Sequence, residues 1–326
     1  MSNRVKELIK SRVSLAPMAG ITDYVLRSMV REHSKTCLLT TEMISSEFLA
    51  QTLKGRSGTE ILKRNENHSP ISYQINGHKP ELMNLSAKVL TPYADMIDIN
   101  MGCPVKKIVG GQDGCSLMRN PKLAQDIVKA VKDGTNKPVS VKFRLGYTMD
   151  ELNFVEFGQQ MQEAGAEFIT LHGRTRSQMY SGQADWELIR KLKENVDIPV
   201  FANGDIVSIE TAIDALEQSK ADGIAIARGV IGDPTLIGRI EHYLATGEKL
   251  PEPDIFEKLK YLKRHLKDEI ELRGEYSAIR ICRKYYGHYI KGIEGAATLR
   301  GKLVVEEDYN KILKILNEFE STQISI

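Results

Sequence analysis

The chain has few cysteines and no device built from them. Cys37, Cys103, Cys115 and Cys282 lie far apart among 326 residues, with no C-x-x-C pair and no metal-ligand spacing. That spacing offers no cysteine-based metal site, and reduced thiols in the cytosol fit it better than a disulfide framework does. Long apolar runs are absent too. None approaches a membrane span, and residues 1–10 are polar and charged, without the apolar core of a signal peptide. A soluble, cytoplasmic protein with no membrane partner is expected. Nor is there a surplus of one charge: the formal net charge is +2, so any basic surface for nucleic acid must be local. There is no low-complexity segment and no repeat beyond an alternation of strand-like and helix-like stretches. No protein partner is evident, and a monomer is expected.

What is present is ordinary globular composition, 41% hydrophobic and 27% charged, arranged in a regular rhythm. Short apolar runs alternate with amphipathic stretches from residue 12 to about residue 244. The strand candidates are Val13–Met18, Leu38–Met43, Ile71–Ile75, Asp95–Ile99, Val139–Phe143, Phe168–Leu171, Pro199–Ala202 and Gly223–Ala227. They are short, β-rich and bounded by Gly, Pro, Asn or Asp, as parallel strands tend to be. Helix starts are legible between them: Asn120-Pro121 and Asp233-Pro234 each set a cap before a proline, and Ser208 precedes a helical apolar spacing. Eight strand–helix units give an α/β fold, a (β/α)₈ TIM barrel over residues 1–245; a doubly wound open sheet is the competitor, and the count favours the barrel. Thr246-Gly247 and Pro251-Glu252-Pro253 read as a linker. Beyond them only helical signals remain, at Ile255–Leu272, Ser277–Ile290 and Tyr309–Phe319, so residues 246–326 are expected to form a small all-α domain docked on the barrel.

In such a barrel the chemistry gathers at the C-terminal strand ends. The first ends in Pro17-Met18-Ala19-Gly20, small and apolar enough for backbone to lie against a flat ring. The third ends at Gln74, a paired donor and acceptor suited to a pyrimidine-like edge. The fourth is DINMGCP, Asp98 to Pro104, which breaks at Gly102 and delivers the Cys103 thiol, beside the Asn100 amide, into a glycine-rich loop expected to be mobile. The fifth ends in Lys142 and Arg144, which alternation points the same way, and the sixth in His172-Gly173-Arg174-Thr175, with Tyr180 a few residues on. The last two end in Asn203-Gly204-Asp205 and Ala227-Arg228-Gly229, glycine-bearing turns of the kind that bind phosphate through backbone N–H groups. Arg228 adds charge there, and Asp205 is expected to order the turn rather than touch the anion. Singly, each residue has a plainer reading. A cysteine is usually a small buried hydrophobe, a strand-end lysine a solvated charge, and a lone histidine a satisfied core group. Their conjunction on one rim points to a flat, phosphate-bearing cofactor, with FMN leading; a lysine near the flavin N1/C2 edge would stabilise the anionic reduced form.

The strings LAPMAGITD (15–23), SYQING (72–77), DINMGCP (98–104), VKFRLG (141–146), HGRT (172–175), NGDI (203–206) and ARG (227–229) span the barrel in order and resemble the tRNA-dihydrouridine synthases, most of all the bacterial type B branch. The resemblance implies reduction of the C5–C6 double bond of a tRNA uridine by FMN, regenerated by NADPH or NADH. It implies that Pro17, Met18 and Ala19 line the flavin ring and that Gln74, Lys142 and His172 contact its polar edge. Asn203, Gly204, Asp205, Ala227 and Arg228 would hold the ribityl phosphate end. Hydride would pass from flavin N5 to uracil C6 and a proton from Cys103 to C5, with Asn100, Arg144 and Tyr180 on the uracil or its nucleotide. Gln112, Asp113 and Cys115 stand where the family's loop usually runs through small residues; Cys115 is read as packing.

The C-terminal segment then has a use. Arg273, Arg280, Arg283, Lys284, Lys291, Arg300 and Lys302 face only Glu275 and Glu294, with Tyr285, Tyr286, His288 and Tyr289 interleaved. Such a patch suits phosphate contacts to a folded RNA, with Arg280, Arg283 and Lys284 as candidate contacts; a solvated helix face over core tyrosines is the alternative. A rival function is an FMN-dependent dehydrogenase of a free pyrimidine, like the dihydroorotate dehydrogenases, for which a basic tail has no use. A second rival is a non-catalytic RNA-binding or chaperone role.

Overall fold

Parallel strands buried on both faces set the architecture. The computed structural model describes residues 3–55 and 66–324. Its strands are β1 (Val13–Leu15), β2 (Leu38–Thr40), β3 (Ile44–Ser45), β4 (Ile71–Asn76), β5 (Met96–Met101), β6 (Val139–Arg144), β7 (Phe168–His172), β8 (Val200–Asn203) and β9 (Gly223–Ile226). All neighbours pair in parallel. β1 pairs with both β2 and β9, and β2 reaches β4 through Leu39↔Ile71 and Thr40↔Ser72, which closes the ring. The two-residue β3, absent from the expected strands, continues β2 after a break and pairs alongside β4 through Ile44↔Ile75. The result is the expected eight-position barrel ringed by helices.

Period-two alternation sorts each strand's side chains into barrel interior and helix-facing layer. The helix-facing set is apolar and forms the main core, including Ile97, Ile99, Val139, Val141, Phe143, Ile169, Leu171 and Val200. The helices start where their caps dictate. Asn120 accepts from Leu123 N ahead of Pro121, and Ser208 with Thr211 forms a capping box, each satisfying otherwise orphaned N–H groups. At Asp233-Pro234 the outcome differs. The Asp233 carboxylate accepts from Thr235 N at 3.1 Å and pairs with Arg239 at 2.5 Å, but regular helix begins only at Leu236.

After the last barrel helix, Leu236–Thr246, come helices Ile255–Arg273, Glu275–Cys282, Tyr286–Tyr289, Ala296–Val305 and Tyr309–Ile324. The single helix expected over 277–290 is broken after Cys282, and Ala296–Val305 has no counterpart among the expected helices. These helices share a second apolar cluster that includes Leu259, Leu262, Leu266, Ile279, Leu299, Leu303, Ile312 and Leu316. Met18 and Ile21 pack against both clusters, so the loop after β1 lies between them. Arg273 donates to Asp23 Oδ2 at 3.1 Å, Arg264 pairs bidentately with Glu32 at 2.6 and 2.7 Å, and Tyr285 Oη reaches Gly20 O at 3.4 Å. A Cβ at Gly232 would lie 2.6 Å from the His288 carbonyl, so only glycine lets the two parts approach there. The helical tail therefore clamps the loop that begins the functional rim.

Candidate active site

A cavity of about 480 Å³ opens over the C-terminal strand ends. Its lining includes Pro17, Met18, Ala19, Gln74, Lys142, His172, Asn203, Gly204, Asp205, Ala227 and Arg228, together with Asn100, Cys103, Arg144 and Tyr180. The barrel residues assigned to the cofactor, the base and the proton donor thus meet in one place. Arg280, Arg283 and Lys284 lie outside it.

The strand register explains the convergence. Gln74 pairs in register with Asp98, Asn100 with Lys142, Arg144 with His172, and His172 with Asn203, so side chains from successive strands come level inside the barrel. Buried amides and charges must find partners, and here they find each other. Lys142 Nζ donates to Asn203 Oδ1 at 2.8 Å, and Asn203 Nδ2 to Ala225 O at 2.7 Å. Asn100 Nδ2 donates to Gln74 Oε1 at 2.8 Å, and Gln74 Nε2 to Asp98 Oδ2 at 2.6 Å. Ser140 Oγ completes the row on Asp98 Oδ1 at 2.6 Å.

Asn100 also fixes the cysteine. Its Oδ1 accepts from Gly102 N at 3.1 Å and Cys103 N at 2.9 Å, turning the chain out of the strand. The segment after Cys103 is structured, not an open glycine loop. Residues Lys106–Gly110 form a helical turn and Gly114–Arg119 a 3₁₀ segment. Asp113 is tied to Asn76 at 3.1 Å and His78 at 2.9 Å, and Cys115 N donates to Cys103 O at 3.1 Å. Gly114 has φ +59°, and a Cβ there would come within 2.7 Å of Cys103 O. Cys115 is fully buried, and burial pushes its thiol up to about 12, which makes it packing. Cys103 is only partly buried; desolvation raises its thiol above the ordinary cysteine value, with Arg144 and Lys142 pulling the other way. At neutral pH it therefore carries its proton.

The cations are similarly constrained. Burial, reinforced by Arg144, brings Lys142 down to about 8. His172 is held well below its usual range by burial and by the neighbouring Arg144, Lys142, Arg174 and Arg228, so it is neutral. Arg144 faces the cavity, but its guanidinium is committed to backbone: Nε to Gly102 O at 2.9 Å, and Nη1 to Thr175 O at 2.9 Å and Met179 O at 2.7 Å. It ties the Cys103 turn to the loop carrying Tyr180. Tyr180 is 54% exposed, and the Arg144 and Arg228 guanidiniums lie 5.5 and 5.4 Å from its ring centre. The Asp205 carboxylate takes two bonds from Arg174, at 2.9 and 2.6 Å, one from Ala184 N at 2.8 Å and one from Arg228 at 3.0 Å. It orders the turn, as its position after β8 suggests.

Three side chains of this apparatus are given no role by the sequence. Asp98 and Ser140 lie beneath the rim, two residues before Asn100 and Lys142, so strand alternation alone could have found them. Arg174, 1% exposed, sits inside the HGRT string and anchors Asp205. The tail needs a correction. Tyr285, Tyr286 and Tyr289 are buried in the second cluster and offer no stacking surface. Arg280 and Arg283 share Glu307 at 2.8 and 3.3 Å, and Arg280 also covers the exposed Tyr276 ring at 3.5 Å. Lys284 hydrogen-bonds the Gly20 carbonyl at the cavity's edge.

The fold and the site define an α/β barrel whose cavity joins a protonated thiol to a half-buried lysine and a neutral histidine. The chain belongs to the dihydrouridine synthase family, whose model (Dus) matches residues 14–323. A "Probable tRNA-dihydrouridine synthase 1" from Synechocystis sp. is 43% identical over 296 residues, 90% of this chain and 82% of that protein. A "tRNA-dihydrouridine synthase B" from Shewanella oneidensis is 38% identical over 289 residues, 86% of this chain and 87% of that one. Among solved structures, histamine dehydrogenase from Rhizobium sp. 4-9 shares the barrel alone, with a TM-score of 0.51 at 16% identity over 71% of this chain and 45% of that one. Among the described residues no helix is long and apolar enough to cross a membrane.

The environment of Cys103 predicts its reactivity. Cys37, Cys115 and Cys282 are buried, so iodoacetamide should alkylate Cys103 first, with a rate that rises through a midpoint above the ordinary cysteine value of about 8.5. Peptide mapping of the alkylated chain across pH measures this. A midpoint near 7 would mean a thiolate at neutral pH and would contradict the protonated thiol.

Proposed function

We propose that the chain reduces the C5–C6 double bond of uridine in tRNA to 5,6-dihydrouridine, with FMN in the cavity and NADPH or NADH as reductant. The observation that carries this is a protonated Cys103 opening onto the same cavity as Lys142 and His172, in a member of the dihydrouridine synthase family. The names of the relatives support tRNA as the substrate.

The cavity's chemistry suits a flavin mononucleotide. Pro17, Met18 and Ala19 offer an apolar surface for a flat ring. Lys142 Nζ carries three hydrogens and donates to Asn203, which leaves donors for a ring oxygen or nitrogen. Gly204 sits at φ +118°, and a Cβ there would lie 2.7 Å from Ala184 Cβ and 2.9 Å from His172 Cδ2. The backbone can therefore pass close where a phosphate-bearing tail would run. Arg228, 48% exposed, supplies the positive charge, while Asp205 holds that guanidinium in place. Bound there and reduced, FMN would supply hydride chemistry for uracil C6.

The remaining work belongs to the chain. Lys142, brought down to about 8 by burial, holds positive charge beside the cofactor's electron-rich edge at neutral pH. The Cys103 S–H gives its proton to uracil C5 as negative charge develops there; the sulfur is left as a thiolate and recovers a proton from solvent. A positioned general acid contributes typically about 10²–10⁴-fold. Asn100, Arg144 and Tyr180 line the space where the base must lie, and Tyr180 offers an exposed ring on which a nucleotide can stack. The target base leaves its own stack to enter, at a cost of a few kcal/mol that is smaller in a loop than in a duplex. On the tail, Lys284 stands at the cavity edge, and Arg280 and Arg283 can exchange Glu307 for phosphate.

Two substitutions test the assignment. Cys103→Ala should retain bound FMN and NADPH oxidation but form dihydrouridine at least about 10²-fold more slowly on unmodified tRNA; near-normal formation would remove Cys103 as the donor. Lys142→Met should weaken FMN retention by about tenfold or more, or slow its reduction by NADPH to a similar degree, the size of a lost charge-assisted hydrogen bond. Flavin released on dilution and stopped-flow absorbance read the two quantities. Unchanged values for both would remove the lysine from the site.

A further inference from the structure

Asp98 neither lines the cavity nor holds the cofactor or base in the proposed reaction, yet the residue, 5% exposed, is buried inside the barrel beneath that site. We infer that Asp98 is a positioning residue for the Cys103 proton donor, holding the thiol's backbone through a one-directional relay of amide hydrogen bonds. The inference rests on the proposed role of Cys103.

Each link leaves the next no choice. The Asn100 Oδ1 accepts from Gly102 N and Cys103 N, so its Nδ2 must donate, and it does so to Gln74 Oε1. The Gln74 Nε2 must then find an acceptor, and Asp98 Oδ2 is there at 2.6 Å. The other Asp98 oxygen receives Ser140 Oγ at 2.6 Å. Only an ionised carboxylate accepts at both oxygens and donates at neither, so Asp98 ends the relay and sets its polarity. An asparagine there can turn either way, and one of its orientations presents Nδ2 to Gln74. Gln74 would then flip, and Asn100 would face the Cys103 N–H with its own N–H₂.

The groups facing Asp98 are Gln74 from β4 and Ser140 and Lys142 from β6, with Lys142 the charged one. Burial outweighs their help and raises the Asp98 carboxyl to about 6. Above that pH it is ionised and accepts at both oxygens; as pH falls through it, one oxygen becomes a donor, and a proton on Oδ2, unlike one on Oδ1 that Ser140 Oγ can accept, faces the Gln74 amide and takes away the acceptor on which the relay ends.

The test uses the full-length holoenzyme. Asp98→Asn should slow dihydrouridine formation about tenfold, with flavin reduction by NADPH changed less. The parent should show an acidic limb near pH 6 that Asp98→Asn abolishes, and the variant should shift the iodoacetamide alkylation rate of Cys103 about threefold or more. Ser140→Ala, which removes one donor and leaves the carboxylate, should change the dihydrouridine and alkylation rates in the same sense by a smaller factor and move the acidic limb to higher pH, and it serves if Asp98→Asn does not fold. Alkylation requires no tRNA, so a parent chain that makes no dihydrouridine would defeat the functional reading while the thiol still reports on the relay. Unaltered Cys103 reactivity, or a retained acidic limb in Asp98→Asn, would overturn the inference.

Discussion

The site depends on one constraint: polar groups placed inside a barrel must be satisfied there. Six consecutive strands, β4 to β9, contribute to this interior, and their alternation puts amides, a carboxylate, a lysine and a histidine where a purely structural barrel would bury aliphatic side chains. An unpaired member of that set would be expensive, so the row from Ser140 through Asp98 and Gln74 to Asn100 forms as a unit. Its upper end fixes the backbone of Cys103. The thiol is thus delivered by the sheet rather than by a free loop, and the residues after it are folded back on it through Cys115 N and Gly114.

The second feature that shapes the site is the helical tail. It binds the loop after β1 through Arg273, Lys284 and Tyr285, and that loop carries Pro17, Met18 and Ala19 onto the cavity. Burying the tail's tyrosines strengthens this clamp: Tyr285 stacks on His265 at 4.4 Å, and Tyr289 Oη bonds His265 Nδ1 at 3.0 Å. A basic segment fastened to the rim in this way brings positive charge to a cavity that, on the proposed function, must accept a base still attached to its RNA. A free pyrimidine would have no use for it.

Much of the fold and the rim is legible in the sequence because parallel strands buried on both faces are short, β-rich and sharply bounded, and because alternation fixes which residues crown them. The eight strands and the rim residues follow from that regularity. Other parts are not legible, for physical reasons. The segment Ile44–Ser45 is too short to show a period, and Ala296–Val305, with Gly301 and a β-branched end, has no amphipathic stripe. Chain direction changes after Cys282 without any proline, so the sequence suggests one helix where two stand. The tail tyrosines do carry a signal. Cys282, Tyr285, Tyr286 and Tyr289 fall at the i, i+3, i+4, i+7 spacing of a buried face. The basic residues interleaved with them suggest a surface instead, and the two signals compete. The role of Asp98 emerges only when Gln74, on a different strand, comes level with it in the sheet.

The central claim is that this chain makes dihydrouridine in tRNA. The most direct test is to map dihydrouridine position by position in tRNA from cells lacking the protein, and again after its return. One or more uridines should remain unreduced in its absence and become reduced when it is restored. Dihydrouridine unchanged at every position would contradict the account.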